Sequence, residues 1–453
     1  MKKFITTLSN IWKIEDLRVR IINTLLFLLI YRIGSYVELP GVVDAKLNTQ
    51  NGTAGLIGLL NMFAGGSFSR ASIFAIGVMP YISASIVVQL LGIAVPYFAK
   101  LQKEGESGRN KLNQWTRYLT IGIAALQAVG YIRSQIAMEG QGSQISPDMS
   151  PMVFTILSVF ILTAGTLFVM WLGEKITDKG IGNGISIIIM VGIIAQLPSA
   201  FLAEFTARTT GQGGLILFIV EIIAFIAVVM FTILIVQGTR KVAVQYAKRV
   251  VGNKQYGGVR QYIPLKVNAA GVMPIIFAQA LMFVPAYIPQ LFPSVSTNPI
   301  VMQFADYRSV GHNMLFGVLI IVFTYFYTAI TINPNQMADD MKKNGGFIPG
   351  IKPGRPTSEF LDGVISKITL PGSIFLAMIA IIPPFAMAVG VSNVFARFFG
   401  GTSLIIMVGV VLDTLQQIES HLLMRHYDGL MKTGRITGRT AIPTSAGTTP
   451  PVI

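Results

Sequence analysis

Ionisable side chains inside long apolar segments are rare and usually functional, because a charge is costly to place in an apolar environment. Three such residues occur here: Arg32, Glu221 and Asp413. Asp413 is the deepest, roughly 16 Å from the outer end of its segment at about 1.5 Å per residue. A carboxylate in this position either carries a proton in a coupled transporter or pairs with a neighbouring helix. No carboxylates or histidines cluster around Asp413 in the sequence, which favours the structural role.

Residues typical of enzymes are sparse. The chain has no cysteine, and His312, His421 and His426 are too dispersed to suggest a metal site. No GxxxxGK[ST] phosphate loop occurs, and the glycines at 180, 182 and 184 follow an apolar helix, so they predict a tight turn between helices. The sequence therefore predicts no catalysis, no cofactor and no metal.

Long apolar segments make up most of the chain. Of 453 residues, 52% are hydrophobic and only 12% charged, which is too little charge for a soluble surface of this size. Ten segments approach the length that crosses a hydrocarbon core of about 30 Å. They are residues 21–37, 71–98, 118–136, 152–172, 184–202, 215–237, 269–291, 314–332, 368–389 and 402–422. We predict an all-α polytopic membrane protein with ten transmembrane helices.

The formal net charge of +15 follows from where the basic residues lie. Ten spans place both termini on one side, and all but seven of the 35 Lys and Arg residues fall on that side. The exceptions are Arg32, Lys46, Arg70, Arg133, Arg208, Arg308 and Arg397. The positive-inside rule then predicts that both termini are cytoplasmic, and no nucleic acid is needed to explain the surplus.

Domain organisation follows from the spans. Residues 1–20 form an N-terminal segment that suits a helix in the membrane interface or a cytosolic helix, and they lack a signal-peptide cleavage site. Residues 21–205 and 206–425 form two halves of five spans with opposite polarity, which allows an inverted repeat with a functional path between the halves. Loops 238–267 and 333–367 protrude far enough to be docking surfaces, and residues 426–453 form a cytoplasmic tail.

Two features interrupt the pattern of spans. A stretch within residues 52–70 is apolar, closed by glycines at 65 and 66, and too short to cross a membrane. It is either an interfacial helix or a re-entrant segment surrounded by protein or water. Pro80 and Pro274, inside the second and seventh spans, are either packing kinks or hinges.

Several long stretches, in order along nearly the whole chain, resemble the SecY/Sec61-alpha family. They are NMFAGGSFSRASIFAIGVMPYISASIVVQLL from Asn61, KEGESGRNK from Lys103, WLGEKITDKGIGNGISIII from Trp171, YAKR from Tyr246, PLKVNAAGVMPIIFA from Pro264, NGGFIPGIKPGRPT from Asn344 and GGTSLII from Gly400. The resemblance implies a clamshell of two inverted five-helix halves around a central pore. Through this pore unfolded preproteins cross the membrane, or leave sideways into the lipid bilayer.

The resemblance also implies roles for particular residues. An aliphatic pore ring falls on Val78, Ile82, Ile189, Ile276 and Ile406. Branched apolar side chains offer ions and water no hydrogen bonds, so a narrow ring of them resists leakage. The short apolar stretch becomes a re-entrant plug helix with Leu56, Ile57, Leu59, Leu60, Met62 and Phe63. Ser83, Gln127 and Asn268 fall at the lateral gate, where weak hydrogen bonds break easily.

The family's docking loops correspond to the two protruding loops of this chain. Their basic residues are Arg240, Lys241, Lys248, Arg249, Lys254, Lys342, Lys343, Lys352 and Arg355. The implied partners are SecE and SecG subunits, the SecA ATPase, the ribosome, signal-peptide-bearing preproteins and a membrane insertase, all at the bacterial cytoplasmic membrane. Lys352 stands where the family usually has arginine, and lysine cannot make the same planar bidentate contact. Arg355 is the candidate substitute.

Two other functions compete with a protein-conducting channel at this stage. A solute or proton-coupled transporter would use Asp413 and Glu221. A membrane assembly scaffold would have no pore at all.

Overall fold

The computed structural model describes residues 12, 14–42, 55–136, 145, 149–210, 214–246, 249–251, 254–256, 260–291 and 298–433. The described chain is mostly helical. Its helices are α1 (Glu15–Gly34), α2 (Gly55–Phe63), α3 (Met79–Ala94), α4 (Pro96–Lys103), α5 (Glu106–Tyr131), α6 (Pro151–Lys179), α7 (Gly184–Thr210), α8 (Gly214–Gln237), α9 (Met273–Leu291), α10 (Pro299–Ala305), α11 (Val310–Thr331), α12 (Pro334–Lys343), α13 (Arg355–Ala388), α14 (Asn393–Ala396) and α15 (Gly401–Thr433). Most of the predicted tail, residues 434–453, lies outside the described residues.

Six helices of the described chain are long and apolar enough to cross a membrane, or seven if the bent pair α3 and α4 forms one span. These cover seven of the ten predicted spans. The first predicted span is not among these helices, because α1 carries Arg18, Arg20 and Arg32 and is less apolar over its length. The third predicted span is also not among them, because α5 begins with a polar stretch and is followed by a π-helical turn, Ile132–Ile136. The seventh is represented by a shorter apolar helix, Met273–Met282.

The second predicted span, residues 71–98, is not a single helix that begins at Ala71. Residues 64–78 form turns, and α3 begins only at Met79. The chain then bends by 104° between α3 and α4. Val95, which precedes Pro96, is extended (φ −116°, ψ 119°), since the proline ring disfavours a helical residue before it. Pro80 lies in the first turn of α3, where a missing N–H costs nothing, so it is neither a kink nor a hinge.

The seventh span also begins later than its apolar pattern predicts. Residues 267–272 form turns and α9 starts at Met273. Pro274 is therefore the second residue of its helix and does not kink it. The turn predicted from the glycines at 180, 182 and 184 is confirmed, because α6 ends at Lys179 and α7 begins at Gly184.

The two protruding loops fold together into one small unit, which the sequence analysis did not predict. Its strands are β1 (Thr239–Tyr246), β2 (Arg249–Val251), β3 (Lys254–Tyr256), β4 (Arg260–Lys266) and β5 (Gly346–Phe347). β1 pairs antiparallel with β4 and with β5, so the second loop adds an edge strand to the first. Val244, Leu265, Ile348 and Leu361 belong to a core of their own beneath this sheet. We call this end of the molecule the sheet side.

The main core lies among the long helices. In the first half α5 packs against α3 and α6, and in the second half α11 packs against α9 and α13. The halves meet along two seams. At the front seam α3 contacts α9, and at the back seam α7 contacts α8 and α15.

Candidate functional site

Four branched apolar side chains from four different helices lie around one small gap between the halves of the molecule. Ile82 (α3), Ile189 (α7), Ile276 (α9) and Ile406 (α15) line a shared gap of about 10 Å³, and each is at most 8% exposed. A gap of that size holds about one water molecule. Two of the helices belong to each half, so the four side chains close the space between the halves. We call them the collar.

The fifth predicted ring residue lies slightly apart from the collar. Val78 is buried but does not line the gap; it precedes α3, and its carbonyl accepts the Ile82 N–H at 3.1 Å. Met79 lines the gap in its place, with Gln279 on α9. Sequence reasoning missed Met79, although it lies three residues before Ile82 and thus on the same helical face.

The short apolar segment forms α2, and its last residue reaches the collar. Phe63 lines the gap, and Leu60 and Met62 are buried. Leu56, Ile57 and Leu59 lie in the same helix. Directly after α2 the backbone of Gly65 has φ +65°, and a Cβ there would lie 3.1 Å from the Gly192 Cα. This close approach and the left-handed backbone explain why glycine ends the segment.

Backbone carbonyls at the end of α2 and in the turn after it accept hydrogen bonds from side chains of three long helices. Gln196 Nε2 donates to Asn61 O at 2.8 Å, and Tyr31 Oη donates to Ala64 O at 3.4 Å. Two guanidinium groups converge on one carbonyl: Arg32 Nη1 and Arg70 Nη2 donate to Gly65 O at 2.9 and 3.2 Å. Tyr131 Oη donates to Phe68 O at 2.7 Å. These bonds, which we call the caps, tie the end of α2 and the turn that follows it to α1, α5 and α7.

The other half of the molecule touches the beginning of α2. The Arg397 guanidinium, from the turn between α14 and α15, lies against Gly58 so closely that a Cβ there would overlap it. Arg397 is 5% exposed, and this burial lowers the pKa of its guanidinium below the usual value. α2 therefore contacts both halves, at its end through the caps and at its start through Arg397.

These caps yield a first prediction. Replacing Arg32 by glutamine removes a charged donor from Gly65 O, a contact of roughly 1.5–3 kcal/mol, so α2 should detach from its position beside the collar roughly ten- to a hundredfold more often. Because the chain has no cysteine, Met62→Cys supplies a single thiol whose labelling rate reports this motion. Arg18→Gln, at the opposite end of α1, is the control. Equal labelling rates with Arg32 and with glutamine at that position would contradict the capping role.

The three residues assigned to the lateral gate do not form one cluster. No hydrogen bond joins Ser83, Gln127 and Asn268 within the described chain. Gln127 lines a small cavity with Leu60 and Phe68, next to α2. Asn268 lines a separate polar cavity on the sheet side, and Ser83 is half-buried on α3.

A buried ion network crosses the back seam at the end remote from the sheet. Arg208 Nε donates to Glu204 Oε1 at 3.0 Å, and Arg208 Nη2 donates to Glu221 Oε1 at 2.5 Å and to Gly390 O at 2.6 Å. Glu204 Oε2 accepts the Ser392 N–H at 3.0 Å. The carboxylates are 1% and 6% exposed. The network links α7 to α8 and to the turn after α13, and it gives Glu221 a structural role.

A further contact across the back seam lies on the sheet side, together with the basic residues assigned to docking. Gly182 N–H donates to Gln417 Oε1 at 2.8 Å, which ties the α6–α7 turn to α15. The exposed basic residues are Arg240, Lys241, Lys342, Lys343, Lys352 and Arg355. Arg249 and Lys254 lie in β2 and β3, whereas Lys248 lies outside the described residues. Arg355 begins α13 and pairs with Glu359 at 3.1 Å.

No group of three or more His, Asp or Glu residues in the described chain is placed to hold a metal ion. His312 is buried, with Nδ1 2.8 Å from Phe304 O.

Comparison with known proteins gives a family from the sequence and a similar fold from solved structures. A family model described as SecY matches residues 72–415. "Protein translocase subunit SecY" of Streptomyces coelicolor is 43% identical over 442 residues, which cover 94% of this chain and 100% of that protein. "The structure of a protein conducting channel" has a similar fold, with a TM-score of 0.59, 17% identity, and coverage of 92% of this chain and 95% of that chain.

A second solved structure, "Sec61 in the Canine ribosome-channel complex from the endoplasmic reticulum", has a TM-score of 0.56 and 17% identity, and covers 92% of this chain and 95% of that chain. The family model matches well over half of the chain, and the sequence relative matches nearly all of it. This chain therefore belongs to the SecY family.

Proposed function

We propose that this chain is the pore subunit of a protein translocase, and that unfolded preproteins pass between its two halves or leave sideways into the bilayer. The chain acts as a passive channel and not as an enzyme. The observation that carries the proposal is the collar, in which four isoleucines from four helices enclose a gap of about 10 Å³. A dry ring of branched side chains blocks ions and can yield around a polypeptide.

α2 serves as the plug in this proposal. Its last residue lies against the collar and its contacts to the two halves are of different kinds. Separation of the halves would draw Arg397 away from Gly58 and leave the caps at the end of α2 in place. The front seam, between α3 and α9, is the lateral gate. Ser83 lies on α3, whereas Gln127 and Asn268 line two separate cavities, and among the described residues no hydrogen bond joins the three.

The topology belongs to the same proposal. Ten spans in two inverted halves would place both termini and the sheet side in the cytoplasm of a bacterium. The basic residues of the sheet unit would then face the SecA ATPase, whose ATP hydrolysis drives transport, or ribosomal RNA, a polyanion. SecE, SecG and a membrane insertase would contact the lipid-facing helices. A coupled transporter is less well supported, because Glu221 is engaged by Arg208.

Reconstitution tests this function directly. Proteoliposomes with this chain and its SecE partner, given SecA and ATP, are expected to protect a signal-bearing preprotein from external protease. Omission of ATP is the control. Failure of the complete system to protect the preprotein, with the chain folded and inserted, would overturn the proposal.

A further inference from the structure

A polar cavity of about 220 Å³ opens on the sheet side between α8, α15 and the turn before α9. Its polar lining comes from Lys266, Asn268, Asp413 and Gln416. None of the contacts that hold the plug, the collar or the back seam uses these side chains. The cavity has room for the end of a long side chain.

Two of the polar groups in this cavity have unused hydrogen-bonding capacity. Asn268 is 5% exposed, yet neither its Oδ1 nor its Nδ2 has a hydrogen-bond partner among the residues that the structure describes. Leaving a buried amide unsatisfied costs about 1–3 kcal/mol, so such a group normally meets a ligand or water. Asp413 has no ion-pair partner within 4.0 Å among the described residues. The Lys266 ammonium is near enough to interact electrostatically with this carboxylate, but its hydrogen bond goes to Gln416 Oε1 at 2.8 Å.

The cavity lies beside the path that leads to the collar. Asp413 follows Ile406 by seven residues on α15. Seven residues are close to two helical turns, so both residues lie on nearly the same helical face, about 10 Å apart along the axis. The carboxylate is therefore on the collar-facing side of α15, displaced from Ile406 toward the sheet side.

We propose that this cavity binds a lysine or arginine side chain near the amino end of an arriving polypeptide. A carboxylate and a carboxamide oxygen are both acceptors for an ammonium or guanidinium group. The exposed sheet side nearby is rich in basic residues, which makes Asp413 a distinctive place for a cation to bind. Signal segments carry basic residues just before their apolar run. The inference rests on the proposed function and names a substrate feature that the channel recognises.

The test compares two preproteins that differ only in having basic or neutral residues before the apolar run, in the reconstituted system. The measured quantity is the transport rate of the basic preprotein divided by that of the neutral one, which we call the basic advantage. With Asp413→Asn this ratio should fall by about two- to fivefold, the effect expected from loss of a partly exposed ion pair. The neutral preprotein should move at the unchanged rate. Lys266→Met, which removes a competing cation, should increase the advantage. Glu419→Gln, an exposed acid on another face of α15, should leave it unchanged.

Charge exchange makes the test specific to the cavity. Asp413→Lys should slow the basic preprotein and speed a version with acidic residues in the same place. Equal slowing of all preproteins by Asp413→Asn, or an unaltered basic advantage, would overturn the inference and indicate that only water occupies the cavity. Failure of the proposed function looks different, since the unaltered chain would then transport neither preprotein.

Discussion

Replacing Ile189 and Ile276 by glycine is expected to make the closed channel leak ions. Both side chains line the 10 Å³ gap, one from each half, so their removal opens a connected space through the collar. Water entering that space would lower the barrier to ions. We expect conductance in planar bilayers to rise about tenfold or more, because a loss of only about 1.4 kcal/mol from a barrier corresponds to a factor of ten.

The neighbouring residues provide a matched control for the collar. Ile188 and Ile275 are fully buried and have the same side chain, yet neither lines the gap. Ile188→Gly with Ile275→Gly should cost at least as much stability and leave conductance low. If both double variants leak equally, loss of packing rather than loss of the collar would explain the current.

Arg208→Met should produce the largest loss of stability among single substitutions in the back seam. It leaves Glu204 and Glu221 as two buried carboxylates without their common cation. Breaking a buried ion pair from one side typically costs about 3–5 kcal/mol. The free energy of unfolding in detergent micelles, measured by denaturant titration, should fall by that amount. Arg133→Met, which replaces an exposed arginine, should leave the free energy of unfolding within about 0.5 kcal/mol of the parent value.

A compensating variant separates charge from packing at the back seam. Glu204→Gln and Glu221→Gln, added to Arg208→Met, remove the stranded charges and should recover most of the lost stability. If the triple variant stays as unstable as Arg208→Met alone, the network would be acting through shape and not through charge.

The apolar pattern predicted where the long helices lie better than where they begin. Six predicted spans correspond to long apolar helices because a run of apolar residues without charges has few alternatives. The starts of α3 and α9 were predicted eight and four residues too early, since residues 71–78 and 269–272 are largely apolar but form turns. Hydrophobicity alone does not distinguish a buried turn from a helix, whereas Pro80 and Pro274 mark the first turn of each helix.

The candidate site was also predicted only in part. Four of the five residues that the resemblance assigns to a pore ring line one gap, with Met79 beside them and Val78 outside it, and their role in a pore stays a prediction. The plug caps and the Arg208 network were not predicted. Their partners are far apart in the sequence, such as Arg32 with Gly65 and Glu204 with Ser392, and no local pattern relates them. The packed unit formed by the two docking loops was missed because β5 contains only two residues.

Crosslinking from the collar to a preprotein halted in transit tests the central claim most directly. A photoreactive residue at Ile82, Ile276 or Ile406 should crosslink to the halted chain in high yield, whereas the same residue at the exposed positions Leu126 or Val220 should not. Crosslinks confined to the exposed positions, with none at the collar, would show that the polypeptide passes around this molecule and would contradict the account.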